Sequence, residues 1–423
     1  MTMSTSTDSD LLRNTNFRWL LGGGFVSMLG DQFSMLALPW LVLSLTGDSL
    51  SLGIAVALMG APRALLILLG GTVADRYSPR RVMLLSKYAN AAILFLLAAL
   101  LWLDQASLAL AYAAALALGI AAAFGIPAGT AILPQAVPGP SLQKANGLQM
   151  GARQLSLLAG PLLAALLLSW HGNGDRGQTG MPLLAAAFAI DALTFLFSAW
   201  TLRQVTLRPL AASAAPQGMW REMAGGLAMV WRDVPLRSCY AYWALVAFFV
   251  MGPLQVALPV LASERLHGAA ALGLLMGAHG AGTLLGMLCS SLGGAWLRRR
   301  FGATLLAVDA VVAVLMMALG QIGTAWQGAA LLAVTGMLGG YLQVAIFTWI
   351  QRRVAPAMLG RAMALFMGIF LGLAPLSAAA TGWLMRHAGV SELFCGGGAL
   401  LLAAAVAAAL FTAIPRIAGP ETI

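Results

Sequence analysis

The sequence predicts an all-α membrane protein, with twelve transmembrane helices arranged in two pseudo-symmetric six-helix bundles. The chain of 423 residues is 60% hydrophobic and 9% charged, and its mean hydropathy of +0.87 is too high for a water-soluble protein of this length. Breaks at charged or Gly/Pro-rich positions divide it into apolar segments near or above the 20 residues that a helix needs to cross a bilayer. The longest polar interval, 203–236, falls between the sixth and seventh segments.

Each apolar segment predicts one span, in the following order along the chain. Before the polar interval the spans are 17–45, 50–73, 82–103, 107–133, 146–170 and 182–202. After it they are 238–262, 270–297, 302–321, 325–350, 361–385 and 391–414. The predicted domains are therefore an N-terminal tail 1–16, a bundle 17–202, a central loop 203–236, a second bundle 237–414 and a C-terminal tail 415–423.

The basic residues predict how the chain is oriented. If the N-terminus lies on the inner side of the membrane, 19 of the 24 basic residues, Lys87 included, also lie on that side. Arg63 and Arg153 fall within spans, and three arginines lie on the outer side. The three on the outer side are Arg176, Arg265 and Arg386. Because basic loops are retained in the cytoplasm, we expect a multi-pass membrane protein with both termini cytoplasmic.

Composition and motifs also exclude several classes of function. The net charge of +10 is scattered over short loops, whereas a nucleic-acid-binding protein gathers its cations on one face. The sequence shows no nucleophile–base set, metal-ligand cluster or phosphate-binding loop. We therefore expect no enzyme activity, no catalytic residue, no nucleic acid, no metal and no cofactor.

Two internal patterns support two similar halves joined by a surface helix. The segment 294–300 follows the eighth span as 71–81 follows the second, with Arg298 in place of the acidic Asp75. Repeated spans of this kind are typical of two-bundle transporters. In the central loop, apolar residues recur at helical spacing and predict an amphipathic helix along the membrane surface: Met219, Trp220, Met223, Leu227, Val230 and Trp231.

The segment between spans two and three carries the most informative motif. It reads Gly71-Thr-Val-Ala-Asp75-Arg76-Tyr-Ser-Pro-Arg80-Arg81. A turn with this charge must lie at a membrane surface, where water and headgroups solvate it. The order of glycine, Asp-Arg and a basic pair resembles the loop after the second helix of major facilitator superfamily transporters, although that family usually has Gly where this chain has Ser78-Pro79.

The resemblance to this superfamily extends over nearly the whole chain and is stronger for the bacterial branch of macrolide-efflux and enterobactin-exporter proteins. Its residues are Leu29-Gly30-Asp31, Pro62-Arg63, Asn146-Gly147, Arg153-Gln154, Gly160-Pro161 and Gly360-Arg361. The resemblance implies secondary active export of a small amphiphilic compound, commonly driven by proton entry. It also implies a gate in which the Asp of the motif engages the start of the eleventh helix. The residues of this gating motif are Gly71, Asp75, Arg76, Arg80, Arg81, Gly360 and Arg361.

Charged residues inside the spans are the candidates for proton coupling, because a charge in the bilayer is energetically costly and is usually kept for a function. Asp31 and Arg63 lie at similar depth on consecutive helices, so a buried pair that loads and releases a proton is one hypothesis and a static ion pair is the other. His279 fits either proton transfer or a hydrogen-bonded packing role. Asp191 and Asp309 invite the same proton-coupling hypothesis, but structural roles are favoured for both.

Polar and aromatic residues within the spans are candidates for the wall of a substrate cavity, or alternatively for the packed core of a bundle. They are Gln32, Phe33, Arg153, Trp243, Gln255, Tyr341 and Gln343. The leading functional hypothesis is a monomeric exporter in a bacterial inner membrane, with a proton gradient as its energy source. Its expected partners are a small-molecule substrate, protons and the lipid bilayer. An importer of the same fold and a non-transporting membrane scaffold are the alternatives.

Overall fold

The computed structural model describes residues 11–169, 180–207, 219–266, 268–292 and 300–418. The regular structure within these ranges is helical, with no strand. Twelve of the helical segments are long and apolar enough to cross a membrane, which confirms the predicted number. The predicted repeat at 294–300 lies outside the described residues, except for Arg300.

Six long helices precede the central interval and are numbered in chain order. They are α1 (Thr15–Thr46), α2 (Ser49–Tyr77), α3 (Pro79–Trp102), α4 (Leu108–Ala136), α5 (Leu142–Ser169) and α6 (Met181–Gln204). The shorter α7 (Met219–Arg232) follows, and then come α8 (Val234–Gly252), α9 (Leu258–Glu264), α10 (Ala269–Leu292), α11 (Phe301–Leu319), α12 (Ala325–Arg353), α13 (Pro356–Leu384) and α14 (Val390–Phe411).

The seventh span consists of α8, a π-helical turn at Pro253–Ala257, and α9. Proline has no N–H and loosens a helix at its own position, and a π turn absorbs such a defect. A hydroxyl from α13 bridges the backbone just before the proline, because the Gly252 N–H donates to Ser377 Oγ at 2.8 Å while that hydroxyl donates to the Phe248 carbonyl. The predicted span is correct, but the break inside it was not predicted.

The chain forms two compact units. The first comprises Met1–Gly47, Leu58–Ser213 and Gly268–Gly273, and the second comprises Asp48–Ala57, Ala214–His267 and Leu274–Ile423. These units are sets of residues that contact one another. The bundles 17–202 and 237–414 are defined by the sequence pattern alone and stay a prediction.

The second unit has an aromatic core. Phe301 stacks on Trp349 with ring centroids 5.1 Å apart, and Trp243 meets the Phe366 ring edge to face at 5.3 Å. The core brings together α8, α11, α12 and α13. Such aromatic contacts hold spans together where lipid provides no hydrophobic driving force between them.

The helix predicted in the central interval is present as α7 in the second unit, and its position along the membrane surface stays a prediction. Val230 is buried in the aromatic core cluster, whereas Leu227 and Trp231 are exposed. Arg361, at the start of α13, approaches this helix, since its Nη1 would lie 3.3 Å from a Cβ added at Gly225. The exposed apolar residues fit a helix that rests on a bilayer surface.

Candidate functional site

A cluster of three charged side chains lies inside the first unit. Asp31 comes from α1, Lys87 from α3 and Asp191 from α6. Lys87 is 7% exposed and Asp191 only 1%, so neither charge is solvated by bulk water. Lys87 interacts electrostatically with both carboxylates, and the two carboxylates interact with each other. We call Asp31, Lys87 and Asp191 the acid cluster.

Small residues on α1 allow the acid cluster to form. Gly23, Ser27 and Gly30 follow one another at helical spacing, and all three are buried. A Cβ added at Gly30 would lie 2.6 Å from Asp191 Oδ1 and would also collide with the Thr194 side chain of α6. Small residues let two spans approach closely, and here they let an α6 carboxylate reach the surface of α1.

Hydroxyl groups and one aromatic ring complete the surroundings of the acid cluster. Ser34 donates a hydrogen bond to Asp191 Oδ2, and Thr194 Oγ1 lies 3.2 Å from Oδ1 of the same carboxylate. The Lys87 ammonium donates to Ser27 Oγ at 3.4 Å and lies 5.5 Å from the centre of the Phe195 ring. Buried polar groups are normally satisfied in this way, so the cluster is a built feature of the fold.

The position and charge of the acid cluster determine what it can do. Asp31 follows Thr15 by sixteen residues and Asp191 precedes Gln204 by thirteen, which places these residues about 24 Å from Thr15 and about 20 Å from Gln204 along their helices. Two carboxylates and one ammonium leave one negative charge in excess. Because an uncompensated charge within a membrane is costly, binding one proton brings the cluster to neutrality.

Arg63 does not accompany Asp31 as the sequence suggested. The cation that interacts with Asp31 is Lys87, and the charged group that influences Arg63 is Arg153 on α5. Sequence gives the depth of a residue along its helix, whereas pairing also depends on which way each helix face is turned.

The prediction that Lys87 lies among the basic residues at the inner membrane surface was wrong. Helix α3 begins at Pro79, so Lys87 lies more than two turns inside it and is buried. Its neighbours Ser86 and Asn90 are buried too, and Asn90 donates to the Ser86 carbonyl at 2.8 Å. Three polar residues within five positions of an apolar span were the signal that could have revealed this site.

The structure describes the side chains of the gating motif except that of Asp75. Arg80 donates to the Arg203 carbonyl at 2.5 Å, while Arg76, Arg81 and Gly360 are exposed. Gly71 is partly buried, with Pro127 Cβ 4.0 Å from the place of an added Cβ, and Arg361 donates to Met358 Sδ at 3.4 Å. The side chain of Asp75 lies outside the described residues, so its contact with the start of α13 stays a prediction.

The structure explains why the family has glycine near position 78. Ser78 adopts φ 88° and ψ 119°, a backbone conformation in the range that favours glycine. Pro79 is the first residue of α3, where proline fits the helix, and it favours the extended ψ of the preceding residue. A serine therefore occupies a glycine position in this chain.

The other candidates lie in several surroundings. His279, on α10, approaches the Leu332 carbonyl at 3.3 Å, and its own carbonyl lies against Gly336 of α12, as expected for a packing histidine. Trp243 is 2% exposed and belongs to the aromatic core, where its Nε1 has no partner among the described residues. Asp309 is buried, and neither its Oδ2 nor the hydroxyl of nearby Tyr242 has a hydrogen-bond partner among the described residues, so its structural role stays a prediction.

The remaining cavity candidates are less enclosed. Gln255 is partly buried within the π turn, Tyr341 borders the aromatic core, and Gln343 is exposed. Phe33 is partly buried, and the side chain of Gln32 packs against Gly160 of α5.

Comparisons with known proteins agree with this architecture. An uncharacterized MFS-type transporter, y4rN of Sinorhizobium fredii, is 27% identical over 415 residues, covering 93% of this chain and 96% of its own. The enterobactin exporter EntS of Salmonella choleraesuis is 26% identical over 353 residues, 82% of this chain and 80% of its own. The multidrug efflux pump Tap of Mycobacterium tuberculosis is 28% identical over 225 residues, 52% of each chain.

Solved structures show the same fold at low sequence identity. The nucleoside transporter NupG aligns with a TM-score of 0.70 at 15% identity, over 93% of this chain and 98% of its own. A D-xylose-proton symporter aligns with a TM-score of 0.67 at 14% identity, over 97% of this chain and 99% of its own. The sequence profile of the Major Facilitator Superfamily matches residues 20–376. The chain therefore belongs to the Major Facilitator Superfamily.

Proposed function

We propose that this transporter exports a small amphiphilic molecule of the drug, macrolide or siderophore-like class, in exchange for protons and by alternating access. The names of two relatives, a multidrug efflux pump and an enterobactin exporter, support the direction and the kind of cargo. The observation that carries proton coupling is the acid cluster, because it holds the buried Lys87 and Asp191 and the partly exposed Asp31 within one unit.

The mechanism follows from the charge balance of the acid cluster. With one proton bound, its net charge is zero and it tolerates isolation from water. When the cluster becomes accessible from the other side of the membrane, water solvates the excess negative charge and the proton leaves. The two carboxylates share this proton, so the titration belongs to the pair of Asp31 and Asp191. Lys87 fixes the number of protons at one.

Uptake into energised inverted membrane vesicles tests the proposal. The probes are two xanthene dyes of opposite charge, rhodamine 6G and carboxyfluorescein. We expect accumulation of at least one dye and its collapse when a protonophore is added. Accumulation that survives the protonophore contradicts proton antiport, and accumulation only in right-side-out vesicles reassigns the protein to import.

Variants of the acid cluster sharpen the test. Asp31→Asn and Asp191→Asn each leave one carboxylate beside Lys87, a pair that is neutral without a bound proton. Both variants should reach the membrane and still exchange dye down its gradient, but they should lose proton-driven accumulation. Asp104→Asn is the matched control, since Asp104 is exposed between α3 and α4. Wild-type accumulation by Asp31→Asn would remove Asp31 from the coupling site.

A further inference from the structure

Two arginines within the spans of the first unit lack a protein counter-charge. Arg63 on α2 is partly buried, Arg153 on α5 is exposed, and the charge of Arg153 acts on Arg63. Among the residues that the structure describes, neither guanidinium forms an ion pair, and Arg63 Nε is buried without a hydrogen-bond partner. A buried guanidinium nitrogen within a span is normally paired, so the unfavourable feature is Arg63 Nε, whereas water can reach Arg153.

Arg153 lies on a face of α5 that suits water. Asn146, Met150 and Arg153 follow one another at spacings of four and three residues, and all three are exposed. Two turns beyond Arg153, this face of α5 is covered by α1, because the Gln32 side chain packs against Gly160. The opposite face of α5 is also exposed but consists of leucines, as expected for contact with lipid: Leu155, Leu162 and Leu166.

We propose that Arg63 and Arg153 bind the anionic group of the transported compound, and that the substrate is therefore an organic anion carrying a carboxylate, sulfonate or phosphate. Guanidinium groups bind such oxyanions with two parallel hydrogen bonds. The anion supplies the counter-charge that the described protein groups do not. This inference rests on the proposed transport function and specifies its substrate.

The charge of the substrate determines how transport responds to voltage. Export of one monovalent anion in exchange for one entering proton moves two positive charges inward, because both movements make the cell interior more positive. Export of a monovalent cation for one proton moves no net charge. A substrate bound by Arg63 and Arg153 is therefore driven by the membrane potential even without a pH gradient.

Binding to the purified full-length protein in a neutral detergent tests the site directly. The probe is carboxyfluorescein, followed by fluorescence anisotropy, with rhodamine 6G as the cationic comparison. We expect the anionic dye to bind wild-type protein more tightly than the cationic dye. Arg63→Gln and Arg153→Gln should each weaken its binding about tenfold or more, while Arg63→Lys and Arg153→Lys retain part of the affinity. Arg416→Gln, at an exposed site in the second unit, should bind as wild type does.

Each remaining outcome contradicts the inference. Absence of carboxyfluorescein binding, equal binding of the two dyes, or unchanged affinity in correctly folded Arg63→Gln and Arg153→Gln overturns the anion site. Displacement of the dye by an equal concentration of phosphatidylglycerol assigns the site to a lipid headgroup instead. Protonophore-sensitive uptake of rhodamine 6G alone rejects the anion site but leaves proton-driven export intact, whereas failure of the export proposal appears as protonophore-insensitive uptake of both dyes.

Discussion

Lys87 is the residue on which the stability of the acid cluster depends. Its removal leaves Asp31 and Asp191 facing each other without a cation. We expect Lys87→Met to lower the free energy of unfolding by about 1–3 kcal/mol, because the two carboxylates lose the cation that acts on both of them, measured by reversible unfolding in detergent. The chain offers a matched control, because its other lysine, Lys144, is exposed; Lys144→Met should change stability by no more than about 0.5 kcal/mol.

A double variant separates charge balance from packing. If Lys87 acts through charge, adding Asp191→Asn to Lys87→Met removes the facing carboxylate and should restore a large part of the lost stability. If Lys87 acts only by filling space, the two losses should add instead, which would contradict the charge-balance argument.

Ser78 provides a prediction of opposite sign. A non-glycine residue held in such a backbone conformation costs about 1–3 kcal/mol, whereas glycine costs roughly 0.5–1 kcal/mol through the entropy of the unfolded chain. We therefore expect Ser78→Gly to raise the free energy of unfolding by about 1 kcal/mol. Ser107→Gly is the control, because Ser107 has φ −147° and caps α4; it should lower stability by a few tenths of a kcal/mol. A loss of stability in Ser78→Gly would show that position 78 is unstrained.

Sequence reasoning found the charged residues of the first unit but not their partners. The depth of Asp31 and of Arg63 follows from counting residues along each helix, and it was the basis for pairing them. Which cation faces Asp31 depends on how α1, α3 and α6 rotate against one another, and the small-residue face of α1 sets that rotation. Periodicity within a uniformly apolar helix says little about how the helix is rotated. The rotation is known only from the contacts between helices in the structure.

At the scale of elements, the crossing of α1 and α6 can be tested with two glycines of one helix. Gly30 lies against Asp191 and Thr194, whereas a Cβ added at Gly24 would meet no atom within 4 Å. Gly30→Ala should lower the free energy of unfolding by about 1–3 kcal/mol through overpacking and should reduce proton-driven uptake. Gly24→Ala should be neutral or stabilise by up to about 1 kcal/mol, because alanine favours the helix. Equal effects of the two substitutions would exclude a close crossing at Gly30.

The number, order and approximate limits of the spans could be predicted because each is fixed by the length of an apolar run. A helix at the position of α7 could also be predicted, since its apolar residues recur at helical spacing. The π turn at Pro253–Ala257 could not be predicted, because a proline in a span permits several local geometries. The choice among them depends on Ser377, which is more than a hundred residues away in sequence.

At the scale of the molecule, the second unit includes a short segment of the first half of the sequence. Asp48–Ala57 packs within it, and Gly53 lies so close to α13 that an added Cβ would be 2.7 Å from the Ala378 carbonyl. Ser49 Oγ donates to the Gly382 carbonyl at 3.2 Å. The start of α2 is therefore held by α13, and an ion pair between Asp48 and Arg386 reinforces this attachment at the helix end.

The ion pair predicts how stability depends on pH. Arg386 donates to both carboxylate oxygens of Asp48 at 2.9 and 2.8 Å, and these bonds hold the Asp48 pKa well below its ordinary value. Because the pKa is lower in the folded state, the stabilisation is fully present above the unfolded pKa of about 3.9 and is lost as pH falls below it. The difference in thermal unfolding temperature between wild type and Asp48→Asn should therefore be constant from pH 7 to about pH 5 and should shrink towards pH 3. Arg386→Gln should show the same pH dependence, and Asp104→Asn should show none. A difference that does not change with pH would mean that the carboxylate charge of Asp48 does not hold α2 in the second unit.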